Sequence, residues 1–358
     1  MDAGLLSSVH VGFAPLVIGY QGAVPSFGSA PQCGGGAVVA GRTTLGNGAI
    51  LEPFAVLRAD GHFIEVGDRL YLGERSSVHI AHNTLPARMG SDVTVGNNSV
   101  VHACTIGDHC AMGHGVVVLD GATIGEGSVV ADGSVVFSRT VLPPGSWCEG
   151  SPAVAVRPLA AGELEAAHDR IRSRAGAAAC SAHVPLVQPQ TTPGYLAPTA
   201  CVTGAGTLTI EEGGSVWFGC VLELGRTGIS IAAGANVQDN SILRCVEGAI
   251  MVDRNATIGH NVTMQDCTVG ESALVGMGSI LAPGTVVMRH AMVAAGSRTE
   301  PGQVLESDWL WAGSPARPVS KMRERWNELI ARTACTYRNY AAEFASQQVL
   351  SLERSTKT

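Results

Sequence analysis

The chain of 358 residues carries a formal net charge of −7, which argues against a nucleic-acid groove or an anionic membrane surface as its main partner. It is long enough for two domains, and its 5% aromatic content and 45 glycines favour thin aliphatic layers and tight turns over a bulky aromatic core. No apolar run reaches the roughly 18 residues that a membrane-spanning helix needs.

The first residues and the cysteines indicate the compartment. Residues 1–6 lack the basic start of a secretory signal and the arginines of a transit peptide. The ten cysteines form no Cys-x-x-Cys pair, and several occupy places suited to aliphatic core residues. We expect most of them to be free, with disulfides as the alternative. These features predict a cytoplasmic protein, with an organelle matrix as the alternative.

Aliphatic residues recur every six positions along both halves of the chain. An amphipathic helix would repeat near 3.6 residues and a single strand at two, so neither explains this period. Short strands stacked along a triangular prism do explain it, because each face places one aliphatic residue inside and small residues form the corners. The ladder, with one five-residue step in each half, runs through Met89, Val95, Val101, Ile106, Met112, Val118, Ile124, Val130 and Val136, and through Ile258, Met264, Val269, Val275, Leu281, Val287 and Val293.

The two halves are copies of one another. Val101 matches Met264 at an offset of 163 residues, and the Gly-Ser-Pro-Ala motifs at 150–153 and 313–316 share that offset. Two independent landmarks at one offset indicate a tandem duplication.

Helical patterns follow each closing motif. The first is predicted over about 162–174, and a second, apolar at helical spacing, over about 320–349. The sequence therefore predicts an all-β fold of two tandem parallel β-helices, each followed by an α-helix. We place the first domain at 20–178, a linker at 179–194 and the second domain at 195–350.

Eight stretches carry the landmarks of a known family. In the second half they are Ser215–Leu222, Gly234–Ser241, Ile258–His260, Cys267–Gly270 and Gly276–Gly278, and in the first half Val56–Asp60, Ser77–His79 and Val101–Gly107. Together they resemble the γ-class carbonic anhydrase family. The resemblance implies left-handed β-helices built from hexapeptide repeats and arranged in three-membered rings. Hexapeptide proteins also include acyltransferases and inert scaffolds, so the fold does not fix the activity.

The resemblance also implies a zinc ion held by three histidines between neighbouring β-helices. The matching positions read His79, Asn97 and His102 in the first domain, and Arg244, His260 and Gln265 in the second. Neither domain has a full set, but the first keeps the pair that one subunit contributes and the second keeps the histidine from the neighbour. We therefore expect a composite site of His79, His102 and His260 that holds zinc, with iron or cobalt as alternatives.

The residue types suit that chemistry. His79 and His102 each follow an inward aliphatic residue, so both point outward from equivalent positions on adjacent coils. Three neutral imidazoles leave zinc an open position for water, whose pKa the metal lowers to about 7. In the second domain, Arg244 puts a permanent cation at a ligand position and would repel a metal. We expect it to bind an anion or to form an ion pair across the interface.

Other family positions predict supporting roles. Arg58 and Asp60 match an Arg-x-Asp motif near the subunit interface, and Gln238 matches a glutamine beside the metal-bound water. His62 is predicted to carry protons to solvent, with a plain surface histidine as the alternative. Tyr337 either approaches the metal site or fills the apolar stripe of the last helix.

The sequence thus predicts a zinc lyase that acts on carbon dioxide and bicarbonate. A metal-free assembly subunit of a hexameric or larger complex is the alternative, and a hexapeptide acyltransferase is a weaker one. We expect a homo-oligomer, or a hetero-oligomer with a related β-helix subunit. In a ring, only a mixture of first and second domains brings His260 to the other two histidines. Rings made from three chains would hold about two zinc ions per three chains, and a ring completed by a partner chain about one per chain.

Overall fold

The computed structural model describes residues 13–173, 193–347 and 349–350. Within them, short parallel strands stack coil upon coil into two β-helices, and an α-helix follows each. The fold class predicted from the sequence, two tandem left-handed parallel β-helices, is confirmed. The domain limits remain predictions, and the first twelve residues and most of the linker lie outside the described residues.

Two faces of the first β-helix form one continuous sheet, because two long strands run around a corner of the prism. That sheet comprises Leu16–Ile18, Ser26–Phe27, Val38–Leu45, Val56–Val66, Ser77–His79, Ala87–Met89, Val100–His102, Thr105–Ile106, Val117–Val118, Thr123–Ile124, Val135–Val136, Val141–Leu142 and Val349–Leu350. The third face comprises Gln32–Cys33, Ile50–Leu51, Tyr71–Leu72, Thr94–Val95, Ala111–Met112, Val129–Val130, Ser146–Gly150 and Ala153–Pro158.

The second β-helix has three separate faces. The first comprises Tyr195–Leu196, Ser215–Val216, Asn236–Val237, Thr257–Ile258, Leu274–Val275, Met292–Val293, Trp309–Gly313 and Ala316–Lys321. The second comprises Cys201–Thr203, Val221–Glu223, Ile242–Arg244, Thr263–Gln265 and Ile280–Leu281. The third comprises Thr207–Ile210, Gly228–Ile231, Ile250–Val252, Thr268–Val269, Val286–Val287 and Val304–Leu305.

Each β-helix has its own aliphatic core, built from the inward residue of each strand. The parallel register stacks similar aliphatic side chains on adjacent coils, so that Val101 lies between Val78 and Val118. Burying such a side chain fully contributes about 1.5–3 kcal/mol, so the repeated ladder supplies most of the stability of a fold with few aromatic residues. Apart from Cys201, the cysteines in the described residues are free thiols, as expected.

Helix α1 (Glu163–Ser173) packs Ala167 and Ile171 onto one face of the first β-helix. Helix α2 (Glu324–Phe344) lies on the first face of the second β-helix, against the strands around Ser215, Asn236 and Thr257. Neither helix in the described part of the chain combines the length and the apolar run that crossing a bilayer requires.

The prediction of one helix over 320–349 was wrong at both ends. Ala316–Lys321 pairs as a strand with Trp309–Gly313, and Val349–Leu350 pairs with Leu16–Ile18 from the other end of the chain. Both segments satisfy their backbone groups in sheets, so α2 spans only the residues between them.

One face of the first β-helix packs against an edge of the second. Arg75 Nη2 donates to the carbonyl oxygen of Gly219 at 2.8 Å, and Asn261 Nδ2 donates to the carbonyl oxygen of Arg75 at 2.7 Å. Farther along the same face, Val117 and Val135 pack with residues of the second β-helix. These contacts fix how the outward side chains of the two prisms face each other.

Gly278 lies at a corner of the second β-helix, where the first comes close. Its φ is +66°, and a Cβ there would lie 2.5 Å from Val117 Cγ2, whereas Gly302, with a φ of +67°, has nothing within 4 Å. We predict that Gly278→Ala lowers the melting temperature more than Gly302→Ala. Both variants bear a left-handed φ, at about 1–2 kcal/mol, but only Gly278→Ala overpacks the interface, at about 1–3 kcal/mol more.

Thermal unfolding of the two variants measures the difference. Equal losses of stability would contradict the close approach of the two β-helices at Gly278.

Candidate metal centre

Three histidines from the two β-helices meet between them. His79 and His102 end two strands of the first β-helix that are neighbours in register, and His260 lies in the turn after Thr257–Ile258 of the second. All three are buried, and one ring nitrogen of each lies within 4.8 Å of the others. The structure thus brings together, within one chain, the three residues that the sequence predicts as metal ligands.

In the first β-helix, each histidine directs one nitrogen at its neighbour and the other at a carboxylate. His79 Nδ1 lies 3.2 Å from His102 Nε2. The opposite nitrogens lie 2.8 Å from Asp60 Oδ1, for His79, and 2.6 Å from Asp120 Oδ1, for His102. A carboxylate on the far nitrogen orients the ring and fixes its tautomer, as in many zinc sites.

His260 lies close to a carboxylate of the second β-helix. Its Nδ1 lies 3.2 Å from Asp239 Oδ2 but without hydrogen-bond geometry, and its Nε2 lies 3.4 Å from the hydroxyl of Tyr337 on α2. Every histidine of the cluster therefore has a carboxylate near one ring nitrogen. Two of these carboxylates belong to the first β-helix and the third to the second.

Two histidines of the cluster, His79 and His260, are held in the form that binds metal. Burial, followed by the positive charge of Arg58, holds the pKa of His79 well below its ordinary value. Burial also lowers the pKa of His260, although Asp239 acts in the opposite direction. Neutral imidazole is the ligand form, so this donor set, with its carboxylate partners, fits a zinc ion.

Arg58 is fully buried between the β-helices, beside the histidines. Its Nη1 donates to Asp60, its Nε donates to Asp239 Oδ2 at 3.0 Å, and its Nη2 donates to the Tyr337 hydroxyl at 2.9 Å. The guanidinium also lies over the Trp217 ring, 4.4 Å from its centroid. One side chain of the first β-helix thereby contacts an acid of each prism and the last helix.

The pKa values of the two acids that share Arg58 are shifted in opposite directions. Burial raises the pKa of Asp60 to about 6, because Arg58 offsets the loss of hydration only in part. Burial acts in the same direction on Asp239, but Arg58 and then His260 outweigh it and hold the pKa of Asp239 below its ordinary range. Asp239 therefore keeps its negative charge to a lower pH than Asp60 does.

The other predicted site residues divide into two groups. Gln238 and Tyr337 border the cleft that opens from the histidines. His62 does not: it lines a polar cavity of about 360 Å³, and its Nδ1 accepts the backbone N–H of Phe63 at 3.0 Å. The exposed His82 borders both spaces, with Nδ1 2.6 Å from the Tyr340 hydroxyl.

Sequence reasoning missed three partners of the site. Asp120 lies two residues past the strand Val117–Val118, the register partner of Val100–Val101 on the next coil, and the six-residue period does not mark that turn position. Asp239 directly follows Gln238, within a stretch already matched to the family. His82 lies in the loop where the two halves differ in length, and nothing in the six-residue period marks it.

Arg244 pairs with Glu223, with Nε 3.2 Å from Oε2, and the two are register partners on adjacent coils. In the described residues one chain supplies all three histidines, which form one cluster. The composition of a ring and the number of metal sites in it stay predictions.

Comparisons with known proteins give relatives for less than half of the chain. No family model matches. The chain is 36% identical over 167 residues to γ carbonic anhydrase 2, mitochondrial, of Arabidopsis thaliana, and spans 59% of that protein's length. It is 36% identical over 146 residues to protein YrdA of Escherichia coli K12, which corresponds to 39% of this chain and 79% of YrdA.

A solved structure shares the fold over nearly the whole chain. A protein of Desulfovibrio desulfuricans G20, described as a presumed acetyltransferase, matches 94% of this chain and 84% of its own at a TM-score of 0.57 and 12% identity. At that identity the similarity concerns the arrangement of the two β-helices and not their chemistry.

We predict that Arg58→Met destabilises the protein by about 3–5 kcal/mol, because it leaves two buried carboxylates without their cation. The matched control is Arg317→Met, which removes an ion pair with Glu300 in which both side chains are more than half exposed. That change should cost at most about 1 kcal/mol. Urea unfolding of both variants measures the two values, and a small effect for Arg58→Met would contradict the described network.

Proposed function

Because the chain belongs to the γ-carbonic-anhydrase-like family of hexapeptide-repeat proteins, we propose that it is a zinc lyase that hydrates carbon dioxide reversibly. The observation that carries the proposal is the convergence of His79, His102 and His260 in one chain. The plant relative named as a γ carbonic anhydrase supports carbon dioxide and bicarbonate as the substrates. Iron or cobalt would suit the same nitrogen ligands.

Zinc held by three imidazoles lowers the pKa of a coordinated water to about 7, and so supplies a nucleophile at neutral pH. The chain's own residues orient this centre. Asp60 and Asp120 fix the rotation of His79 and His102 by hydrogen bonds, and Asp239 lies 3.2 Å from His260 Nδ1. Removing such a partner typically weakens metal binding or activity by about 10–100-fold.

Gln238 and Tyr337 are the polar groups proposed to contact the substrate. Both border the cleft beside the histidines, and the amide of Gln238 can donate to an oxygen of the substrate or accept from water. Burial raises the pKa of Tyr337, which therefore keeps its proton. Arg58 donates to the Tyr337 oxygen, which leaves the hydroxyl proton free to point at the site.

Hydration releases a proton that must reach solvent. We propose that His82 receives it at the border of the two spaces and that His62, in the polar cavity, passes it on. Burial, then the charges of Arg42 and Arg88, lower the pKa of His62. This favours release of the proton from His62 to bulk water.

Replacing His62 or His82 by alanine should slow turnover by about tenfold or more in dilute buffer, since proton transfer by a positioned group contributes roughly 10²–10⁴-fold. Added imidazole should restore the rate. The control is His290→Ala, an exposed corner residue. Stopped-flow measurement of carbon dioxide hydration checks this, and unchanged turnover in His62→Ala would remove His62 from the route.

The assembly and the compartment are also proposals. Two β-helices of one chain fill two places of a three-membered ring, and we propose that a further β-helix, from a second copy or a related chain, fills the third. A monomer in sedimentation equilibrium would contradict this. The name of the Arabidopsis thaliana relative places that protein in mitochondria. This supports an organelle matrix, as an alternative to the cytoplasm, as the compartment of the present protein.

The purified chain should contain about one zinc ion per chain, since all three ligands come from one molecule. His79→Ala, His102→Ala and His260→Ala should each lose it, because two imidazoles bind zinc far more weakly than three. His114→Ala is the control, since His114 Nδ1 accepts the backbone N–H of Asn97 and has no part in the cluster.

Elemental analysis of the parent and the four variants decides between the functions. Absence of zinc from the parent would favour the metal-free assembly subunit, and zinc retained in His260→Ala would contradict the composite site of His79, His102 and His260.

A further inference from the structure

A cleft of about 580 Å³ lies between the two β-helices and α2. His79 and His102 line one end of it, and most of the remaining lining has no part in the proposed hydration. Pockets of roughly 300–1,000 Å³ hold drug-sized ligands, whereas carbon dioxide has three atoms. The charges and the walls of this space therefore indicate a second kind of ligand.

Arg332 carries the unbalanced charge of the cleft. It borders the cleft from the exposed side of α2 and forms no ion pair within the described part of the chain. The other ionisable side chains of the lining have hydrogen-bond partners, which are Asp60 for His79, Tyr340 for His82, Asp120 for His102 and Arg58 for Tyr337. The charge that this lining leaves for a ligand to balance is therefore positive.

The first wall is a single column of the first β-helix. The position after the inward residue reads His79, His102, Leu119 and Phe137 on successive coils. All four side chains border the cleft. The column changes from imidazole to apolar side chains past His102, and Phe137 remains 40% exposed.

The second wall is one face of the second β-helix and becomes apolar on the same coils. Val117 and Val135 of the first β-helix lie close to Gly278 and Gly296 of the second, which sets the two prisms level. The outward residues of this face that line the cleft are Thr257, Leu274, Met292 and Leu310, on successive coils.

Helix α2 forms the third wall, and Arg332 stands at the boundary between its polar and its apolar part. Thr336 and Tyr337 lie toward the histidines, and Leu329 and Trp326 lie on the other side of Arg332. At 1.5 Å per residue, about 9 Å separate Arg332 from Trp326 along the helix, which an unbranched chain of about eight carbons spans.

A ligand that matches the three walls carries one negative charge and one unbranched apolar chain. A small anion would leave the apolar walls in water, and an uncharged chain would leave Arg332 without a partner. The Asp120 carboxylate repels an anionic head group from the histidine end. We propose that the cleft binds medium-chain fatty carboxylates, with the carboxylate on Arg332 and the chain between Phe137, Met292 and Trp326.

Calorimetric titration of the full chain with hexanoate, octanoate and decanoate tests the proposal. We expect the affinity to rise about three- to fourfold per methylene, and acetate to bind about a hundredfold more weakly than octanoate or worse. 1-Octanol and octylamine have the same chain with a neutral or a positive head group, and each should bind about tenfold more weakly than octanoate or worse. The titrations use metal-chelated protein, so that no carboxylate binds to a metal at the histidines.

Arg332→Gln removes the cation and should weaken octanoate binding about tenfold or more, while the affinity for 1-octanol stays unchanged. Arg338→Gln is the matched control, because Arg338 is exposed on the same helix and lies over the turns at Gly213 and Gly234, outside the cleft. An Arg332→Gln variant that binds octanoate as tightly as the parent overturns the proposal.

Met292→Gln keeps the length of the side chain but puts an amide into the apolar wall, so it should weaken both octanoate and 1-octanol. Met251→Gln should weaken neither, because Met251 is 52% exposed on another face of the same β-helix. Phe137→Gln, at an exposed position, provides a second cleft variant if Met292→Gln does not fold.

The remaining outcomes separate this proposal from the proposed function. No binding of octanoate overturns it, as does binding of acetate or 1-octanol as tight as that of octanoate. A protein that hydrates carbon dioxide but binds no octanoate retains the proposed function and refutes the fatty carboxylate site. A protein that binds octanoate through Arg332 but holds no zinc refutes the proposed function alone.

Discussion

The ion pair between Arg58 and Asp239 joins the two β-helices at the point where the histidines meet. A buried charge is expensive to remove from water unless it is paired and hydrogen-bonded, and Arg58 meets that condition only when both prisms and α2 are in place. Asp239 in turn stands behind His260, and Asp60, on the other side of Arg58, stands behind His79. The packing of the two β-helices and the orientation of the histidines therefore depend on one network.

The duplication explains why this network lies within one chain. Each β-helix kept the half of the site that faces the other: the first kept two adjacent histidines on one column, and the second kept one histidine at a corner. At positions that match family ligands but hold no histidine, the side chains make other contacts. Asn97 accepts the backbone N–H of Glu74, and Arg244 pairs with Glu223 on the surface. The two copies thus became complementary halves of one interface.

Much of the fold could be predicted from the sequence because the β-helix is periodic. A residue such as Val101 stacks on Val78 and Val118 for reasons visible in a six-residue repeat. The C-terminal end of α2 could not be predicted, because Val349–Leu350 pairs in a sheet with Leu16–Ile18, more than three hundred residues away in sequence. The three histidines could be identified by matching positions. Their meeting within one chain could not, because the placement of the prisms rests on contacts such as Arg75 with Gly219 that no local pattern records.

The central claim is that one chain holds one zinc ion with His79, His102 and His260. X-ray absorption at the zinc edge of the purified full chain tests it most directly, because it reports ligand type, number and distance together. We expect about one zinc per chain with three nitrogen ligands at about 2.0–2.1 Å and one further oxygen. We also expect the loss of this signal in His260→Ala. Ligation by sulfur, fewer than three nitrogen ligands, or an unchanged spectrum in His260→Ala would contradict it.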